Sequence, residues 1–203
     1  MGLFDFLFGG KPESKVELAD DKIWMTTSAK WNGLRADLQQ RIQAGTGIVV
    51  LVAHFEDTLK MLQSIAQAAN QPLVTTVLAD SLSVDAATAA NLDEDARIDL
   101  IVGERHPSLE ADEALLGLAE QLPCPCRMTY YVSLEDPLLK LFSGEWAGGM
   151  LQRLGMAGDE AIESRMITRQ IKHAQQKIQS RVFGTVKASS AEEWIRKNVS
   201  DVN

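Results

Sequence analysis

Two histidines with nearby glutamates are the side chains of this sequence best suited to catalysis or metal binding. His54 and His106 each follow an apolar run typical of a buried strand, with Glu56 and Glu104 two residues away. Such a set could bind a metal ion or exchange protons at one edge of a sheet. We favour the alternative that both histidines are strand-end residues with hydrogen-bond partners, because a working site needs more convergent groups.

Two acidic pairs offer a second chemistry, since paired carboxylates can hold Mg²⁺ or transfer protons. Asp112 and Glu113 lie in a predicted helix, where adjacent residues do not face one another. In the second pair, Glu135 and Asp136, the aspartate precedes a proline, as expected of a residue that caps a helix. We therefore predict structural roles for both pairs.

Known phosphate-binding motifs are missing from the sequence. A phosphate loop needs spaced glycines followed by a lysine, and neither this pattern nor the glycine pattern of dinucleotide-binding folds occurs. The two cysteines, Cys124 and Cys126, are too close together for an ordinary zinc or redox pair. We expect them to be small apolar residues of a reducing, cytoplasmic compartment, and we expect no cofactor.

Basic side chains are concentrated in one predicted helix. The segment from Ser164 to Lys187 contains six Lys or Arg residues and no acid, although the chain has a formal net charge of −8. Five of them lie along the helix, namely Arg165, Arg169, Lys172, Lys177 and Arg181. This face could bind anionic lipid or an acidic partner, or it could be solvated or docked on acids of its own chain. The acidic balance argues against nucleic-acid binding.

An apolar tip opens the chain, formed by Leu3, Phe4, Phe6, Leu7 and Phe8. It is shorter than a signal-peptide core or a membrane span. It could lie in a membrane interface and give weak peripheral association, or it could pack on its own domain or on a partner. We favour a protein contact, because the tip lacks the basic face that interfacial helices use.

The elements that position these residues alternate between strands and helices. A continuous, largely β-branched apolar run typical of a strand buried on both faces occurs at Ile48–Ala53, and mostly apolar runs predict further strands at Leu73–Leu78, Ile98–Val102 and Met128–Val132. Helical periodicity lies between them, for example over Ser28–Ala44 with Ser28 as the cap, and over Leu109–Leu122. This order predicts an α/β fold with a mostly parallel sheet covered on both faces, whose ligands bind beyond the carboxyl ends of the strands.

The chain of 203 residues is long enough for one domain with helical additions. We predict an apolar tip and polar linker over residues 1–20, an α/β domain over 21–136 and a helical extension over 137–203. In the extension we expect no strand, a long helix over Ile162–Phe183 and a short final helix capped by Ser190.

The second half of the chain resembles SecA, the preprotein-translocation ATPase. The resemblance rests on segments in the order of that family, which are Gly103–His106, Tyr130–Asp136, Leu151–Met156, Glu160–Glu163 and Ile171–Arg181. It implies a three-layer RecA-like sheet, corresponding to the second nucleotide-binding lobe of SecA, followed by the start of its helical scaffold.

The departures from the SecA pattern concern the ATP site. In SecA the first lobe brings the phosphate loop and the acidic Mg²⁺ motif, and the second lobe brings arginines that reach the nucleotide. This sequence has no such first lobe, and between Arg105 and Arg127 it has no Lys or Arg. Because arginine clamps supply much of the charge stabilisation in phosphoryl transfer, we expect no ATPase activity.

Three functional hypotheses follow from these residues. The first is a non-catalytic binding or regulatory module whose partner is a protein, either the translocation machinery or a complete SecA. The second is a half-motor that completes an ATP site in trans, for which Arg97, Arg105 and Arg127 are the available arginines. The third is a small-molecule enzyme that uses His54 and His106.

Overall fold

The computed structural model describes residues 14–45, 47–84, 96–142 and 160–200. In these ranges the strands are β1 (Val16–Leu18), β2 (Lys22–Trp24), β3 (Ile48–Ala53), β4 (Val74–Leu78), β5 (Ile98–Val102), β6 (Cys126–Ser133) and β7 (Ile162–Glu163). The α-helices are α1 (Thr27–Gln43), α2 (Glu56–Ala69), α3 (Leu109–Ala119), α4 (Pro137–Phe142), α5 (Arg165–Gln179) and α6 (Ala191–Asn198).

The strands form one sheet in the order β4-β3-β5-β6-β2-β7, with β1 also paired to β6. The described pairings are parallel except for β2 with β7. The chain passes from β3 to β4 on one side and then returns to β5 and β6 on the other side of β3. This reversal between β3 and β5 is the point at which sheets of this class form a ligand crevice.

Helices cover both faces of the sheet because the strand side chains alternate between two apolar clusters. Val49, Leu51 and Tyr131 pack with residues of α1 and α2 on one face. On the other face, Val50 and Val52 pack in a cluster with residues of α3. The architecture is therefore three-layered, and the predicted α/β RecA-like fold is confirmed.

A third apolar cluster attaches the carboxyl-terminal helices to the sheet. Ile23 and Val132 pack in one cluster with buried side chains of α4, α5 and α6. In α5 these are Ile167, Ile171, Ala174 and Ile178, which recur at three or four residues. Because of this packing the α5 helix has one fixed orientation on the body of the protein.

Several local predictions were wrong, each for a physical reason. The expected linker contains β1, which pairs with β6 although two of its three residues, Glu17 and Leu18, are exposed. A strand does follow Asp136, since the two-residue β7 pairs with β2. The cap of α1 is Thr26, whose side chain accepts a hydrogen bond from the Ala29 amide, so Ser28 lies inside the helix.

The terminal part of the chain agrees more closely with its pattern. Ser190 caps the final helix and accepts a hydrogen bond from the Glu193 amide, as predicted. The long helix begins at Arg165, later than expected, and Met166 is exposed while Ile167 is buried. The tip, most of the acidic stretch after Asp80 and the segment that includes Leu151–Met156 lie outside the described residues. The domain bounds at 20 and 136 stay a prediction.

Candidate functional site

A cleft of about 850 Å³ opens at the carboxyl ends of β3, β4 and β5, where the sheet reverses its order. The strand ends supply His54, Phe55 and His106, and α3 supplies small apolar side chains such as Ala111 and Ala114. The opposite wall is the segment Thr185–Ser189 together with α6. The cleft therefore lies where this class of sheet binds ligands, and it combines groups of the strand ends with groups of the carboxyl-terminal segment.

Glu104 occupies the amino end of α2, the position at which helices of this fold bind anions. Its Oε1 accepts hydrogen bonds of 3.1 Å from the amides of His54 and Phe55, and its Oε2 accepts one of 2.7 Å from the Thr58 hydroxyl. A further amide of this turn, that of Asp57, donates to the Ser189 carbonyl at 3.1 Å. Burial raises the pKa of Glu104, and the histidine and hydroxyl neighbours oppose this rise.

Arg105 is enclosed by two carboxylates. Its guanidinium donates to Asp21 at 2.5 Å and to Asp112 at 3.0 Å, and it stacks on the Tyr130 ring at 3.5 Å. All three charged side chains are at most 4% exposed. The two carboxylates raise the pKa of Arg105 further above its ordinary value against the effect of burial, so the guanidinium stays charged. The geometry makes Arg105 a structural cation of the interior.

Lys30 is a second buried cation with internal partners. Its ammonium donates to Asp136 at 2.9 Å and to the carbonyl of Gly103 at 3.2 Å, and its side chain is 3% exposed. Asp136 in turn accepts from the amide and hydroxyl of Ser133, directly before α4. The predicted structural role of Asp136 is thus extended by an ion pair that joins α1 to the end of β6.

The fold does bring His54 and His106 together, with ring centroids 5.2 Å apart. His54 Nε2 lies 2.9 Å from Asp112 Oδ1, and His106 Nδ1 accepts from the Ser108 amide at 2.9 Å. Burial and the neighbouring His54 lower the pKa of His106 to about 3. A ring that stays neutral at physiological pH is unsuited to general acid–base catalysis there.

Asp112 has more partners than any residue that we singled out from the sequence. It contacts His54 and Arg105, accepts from the His106 amide and accepts from Gln175 on α5. Although burial opposes it, these hydrogen bonds and the Arg105 charge lower the pKa of Asp112 to about 2. Its partner Glu113 does not share this role, because adjacent helical residues point in different directions.

The wall formed by Thr185–Ser189, which we call the strap, is held in place by Asn198. This side chain is fully buried and exchanges two hydrogen bonds with the backbone of Val186, and it also donates to the Trp194 carbonyl. Trp194 then contacts the His106 ring edge-on at 4.9 Å. The strap and α6 therefore close one side of the cleft with residues of the same chain.

The basic residues of α5 lie on its exposed half, as the helical spacing requires. Arg165, Arg169, Lys172 and Lys177 are all exposed, and Arg181 follows just beyond the helix. Arg165 has an acid within ion-pair distance, Asp20 at 3.6 Å. None of these five residues lines the cleft, although Thr185 of its wall follows Arg181 by four residues. The apolar tip lies outside the described residues.

Arg97 and Arg127 lie at the opposite edge of the sheet from the cleft. Arg97 directly precedes β5 and Arg127 is the second residue of β6, so both are at the amino ends of their strands. Both contact Glu17 of β1, at 2.8 Å and 3.6 Å respectively. They are therefore not placed at the edge where a nucleotide would bind.

The sequence pattern did not identify Asp21, Lys30, Asp112 or Gln175 as members of buried polar contacts. A signal was present for Lys30, which falls on the apolar side of α1 between Ala29 and Leu34. Gln175 and Asp112 likewise lie at three- and four-residue spacings from apolar residues of their helices. Within the described ranges no group of three or more potential ligands is arranged to hold a metal ion. In the same ranges no helix is long and apolar enough to cross a membrane.

The fold and the cleft define a RecA-like α/β lobe. At the carboxyl ends of its strands, the buried cations Arg105 and Lys30 are paired with carboxylates of the same chain. Comparison with known proteins agrees with this class. The family model that matches is the SecA P-loop domain, over residues 66–160. The match begins at residue 66 within α2, downstream of β1, β2 and β3, and the sequence of this chain contains no phosphate-loop motif.

Individual relatives carry the name protein translocase subunit SecA. The protein of Alkaliphilus oremlandii is 45% identical over 85 residues, which are 41% of this chain and 10% of that protein. The protein of Syntrophomonas wolfei is 35% identical over 143 residues, or 69% of this chain and 16% of its relative. The protein of Campylobacter curvus is 28% identical over 187 residues, or 81% and 22%.

The chain is accordingly a SecA-like member of the SecA family, and the predicted resemblance is confirmed. It spans between a tenth and about a fifth of the length of the relatives just described.

Proposed function

We propose that this chain is a non-catalytic binding or regulatory module derived from the second motor lobe of SecA, working in the cytoplasm in connection with protein translocation. The supporting observation is that the groups able to bind phosphate at the carboxyl edge already have partners within the fold. Glu104 and Ser189 accept from amides at the amino end of α2. Asp21 and Asp112 enclose Arg105, and Asp136 pairs with Lys30.

A nucleotide would have to displace these internal partners before it could bind in the same way. Separating Arg105 from Asp112 or Asp21 would leave a buried charge uncompensated, at a cost of about 3–5 kcal/mol. That cost is comparable to the whole binding free energy of a millimolar ligand, about 4 kcal/mol. The internal pairing therefore argues for a lobe that does not use ATP.

The half-motor hypothesis receives no support from the positions of the arginines. Arg105 is buried and paired, and Arg97 and Arg127 lie at the amino edge of the sheet. The strap also occupies one side of the carboxyl edge, which is the edge that a second lobe would face. We therefore place protein binding first, with the translocation machinery or a complete SecA as the partner.

Calorimetric titration of the full chain with Mg·ATP and Mg·ADP tests this proposal. We expect any dissociation constant to be weaker than about 1 mM and no hydrolysis above the buffer rate. A complete SecA titrated under the same conditions is the positive control. Micromolar binding with turnover would overturn the proposal.

The link to translocation is tested by adding the purified chain to a complete SecA and measuring the ATPase rate of the latter. A binding or regulatory module changes that rate, and Arg105→Lys, which keeps the buried charge, leaves the effect intact. An effect that is lost in Arg105→Lys would instead favour an arginine acting in trans.

A further inference from the structure

We infer that the exposed half of α5 is a docking surface for an acidic protein segment. We call this surface the basic face and define it by Arg165, Arg169, Lys172, Lys177 and Arg181. The inference rests on the proposed function, because a protein without catalytic activity acts through the partners that it binds. The partner is defined here by its chemistry.

The basic face consists of two groups of cations on the exposed half of α5. Residues 165, 169 and 172 are three and four apart and form one ridge over about 10 Å. Lys177 is five residues after Lys172 and therefore lies about 140° around the helix axis from it, and Arg181 follows beyond the end of the helix. The intervening exposed side chains, such as Gln170 and Gln176, are neutral hydrogen-bonding groups, and no acid occurs from Ser164 to Lys187.

The rotation of α5 about its axis is fixed, so the basic face always points outward. Ile171 and Ile178 are fully buried on the opposite side. Gln175, also fully buried, donates through Nε2 to the His106 carbonyl and to Asp112, each at 2.7 Å. A polar side chain held in this way has one rotational setting, because turning the helix would leave buried groups without partners.

Few acids oppose the charge of the basic face. The ion pair of Arg165 with Asp20 is loose, since the arginine side chain is 86% exposed. Within the described ranges, Arg169, Lys172, Lys177 and Arg181 have no acid within 4 Å, although the charge of Lys172 acts on the buried Asp21. The three cations of the ridge, spread over about 10 Å, match a segment with one carboxylate per helical turn of about 5.4 Å.

An acidic protein segment fits this face better than an anionic membrane does. The apolar side of α5 is buried in the core, so the helix has no apolar face to insert between lipids. The net charge of −8 includes the six cations of Ser164–Lys187, so the other residues together carry −14. An anionic membrane surface would repel these other residues. A narrow protein segment can contact the basic face without approaching them.

Exposed apolar side chains near the two ends of the basic face are a second feature of this surface. Met166 is 46% exposed and Phe183, just beyond the helix, is 68% exposed. They are 17 positions apart in the sequence, so they do not form one insertion surface. They match apolar residues near the two ends of a bound acidic segment.

Binding of a labelled acidic peptide, measured by fluorescence anisotropy with the full chain, tests this inference. The probe is a helix of about 20 residues with glutamate once per turn on one side and a leucine near each end. We expect saturable binding that weakens as salt is raised, because screening reduces contacts between exposed charges. The triple variant R165E, R169E and K172E should weaken binding at least tenfold.

The control is the triple variant R35E, K60E and R196E, which makes the same change in net charge at exposed positions on other helices. It should bind the peptide within a factor of about two of wild type, since the interaction is local. Neutral replacements at the three α5 positions (to Gln) provide a second variant if charge reversal affects folding, which circular dichroism checks.

Vesicles of equal parts anionic and zwitterionic phospholipid form the other arm of the experiment. Cosedimentation that the α5 variant abolishes, without peptide binding, would overturn the inference in favour of a membrane surface. Absence of both kinds of binding, or an equal loss in the control variant, would also overturn it. None of these results depends on nucleotide, so a failure here is distinct from failure of the proposed function.

Discussion

At the scale of single residues, Arg105 shows that the surroundings of a charged side chain decide its role. The sequence alone left Arg105 as a candidate for contact with a nucleotide in trans. In the structure Asp21 and Asp112 enclose it, and Tyr130 covers its face. This structural role depends on long-range neighbours, of which Asp21 is 84 residues away in the chain.

Replacement of Arg105 by alanine should destabilise the protein strongly. It leaves two buried carboxylates without their cation, and we expect the free energy of unfolding to fall by about 3–5 kcal/mol. Arg97→Ala is the matched control, because Arg97 is 55% exposed and its pair with Glu17 is worth less than about 1 kcal/mol. Urea unfolding measures both, and similar losses in the two variants would contradict a buried structural role.

The buried imidazole of His106 predicts a pH dependence of stability. Burial lowers the pKa of His106 to about 3, while in the unfolded chain it is near 6.5. Below a pH of about 6.5 this histidine therefore binds a proton in the unfolded state and not in the folded state. The free energy of unfolding falls as a result by up to about 1.4 kcal/mol per pH unit. In the variant His106→Phe this fall per pH unit should be smaller between pH 6.5 and 4.5.

Unfolding free energies across that pH range check the prediction. The range stays above the region in which Asp112, with a pKa of about 2, begins to take up its proton. His173→Gln, which removes an exposed imidazole from α5, serves as the control and should keep the wild-type slope. A slope that does not change in His106→Phe would mean that this ring does not take part in the acid sensitivity.

At the scale of secondary-structure elements, the close contact between α1 and β2 makes a glycine necessary inside a helix. A Cβ atom added to Gly33 would lie 2.6 Å from Trp24 Cε2, well inside contact distance. In an exposed helix, alanine would be more stable than glycine by about 1 kcal/mol. At Gly33 we expect the clash to exceed this gain, because overpacking costs about 1–3 kcal/mol.

Gly33→Ala should therefore lower the stability of the protein, whereas Gly117→Ala should raise it. Gly117 lies in α3 and has open space around its Cβ position, so the replacement gains about 0.5–1 kcal/mol from helix propensity alone. Thermal unfolding of the two variants makes the comparison. If the two substitutions change the unfolding temperature in the same direction, the packing of Trp24 against α1 does not exclude a side chain at position 33.

The helices and strands also show what the sequence pattern could predict. Apolar runs located β3 and β5 at their observed bounds, because strands covered on both faces are mostly apolar. The exception in β5 is Asp99, which is buried and pairs with Arg41. The same criterion could not find β1, which has three residues of which two, Glu17 and Leu18, are exposed. The pairing of Arg105 with Asp21 and Asp112 leaves no signal in the periodicity of the sequence. The position of the site at the strand ends was therefore predictable, and the contacts between its side chains were not.

At the scale of the whole molecule, the carboxyl-terminal segment determines the shape of the cleft at the far end of the sheet. Asn198 joins the strap to α6, and Ser189 joins the strap to α2. The helical extension and the α/β body therefore share one boundary region, although they are separate in the sequence.

Asn198→Ala should release the strap and leave the sheet intact. The Val186 amide then loses its acceptor, so its hydrogen exchange should become at least tenfold faster, while amides of β5 keep their protection. Asn32→Ala, at an exposed position of α1, is the control. Exchange that accelerates in β5 to the same degree would mean that the strap and the sheet open as one unit.

The carboxyl group of Glu104 at the start of α2 has one more consequence. A ligand that belongs to the chain acts at an effective concentration set by geometry, on the order of millimolar or higher even for flexible tethers. Glu104 is held far more tightly than by a flexible tether, since it is buried and accepts from two amides and a hydroxyl. The occupancy of this helix terminus is thus independent of solute levels in the cell, and this edge of the lobe keeps one shape when those levels change.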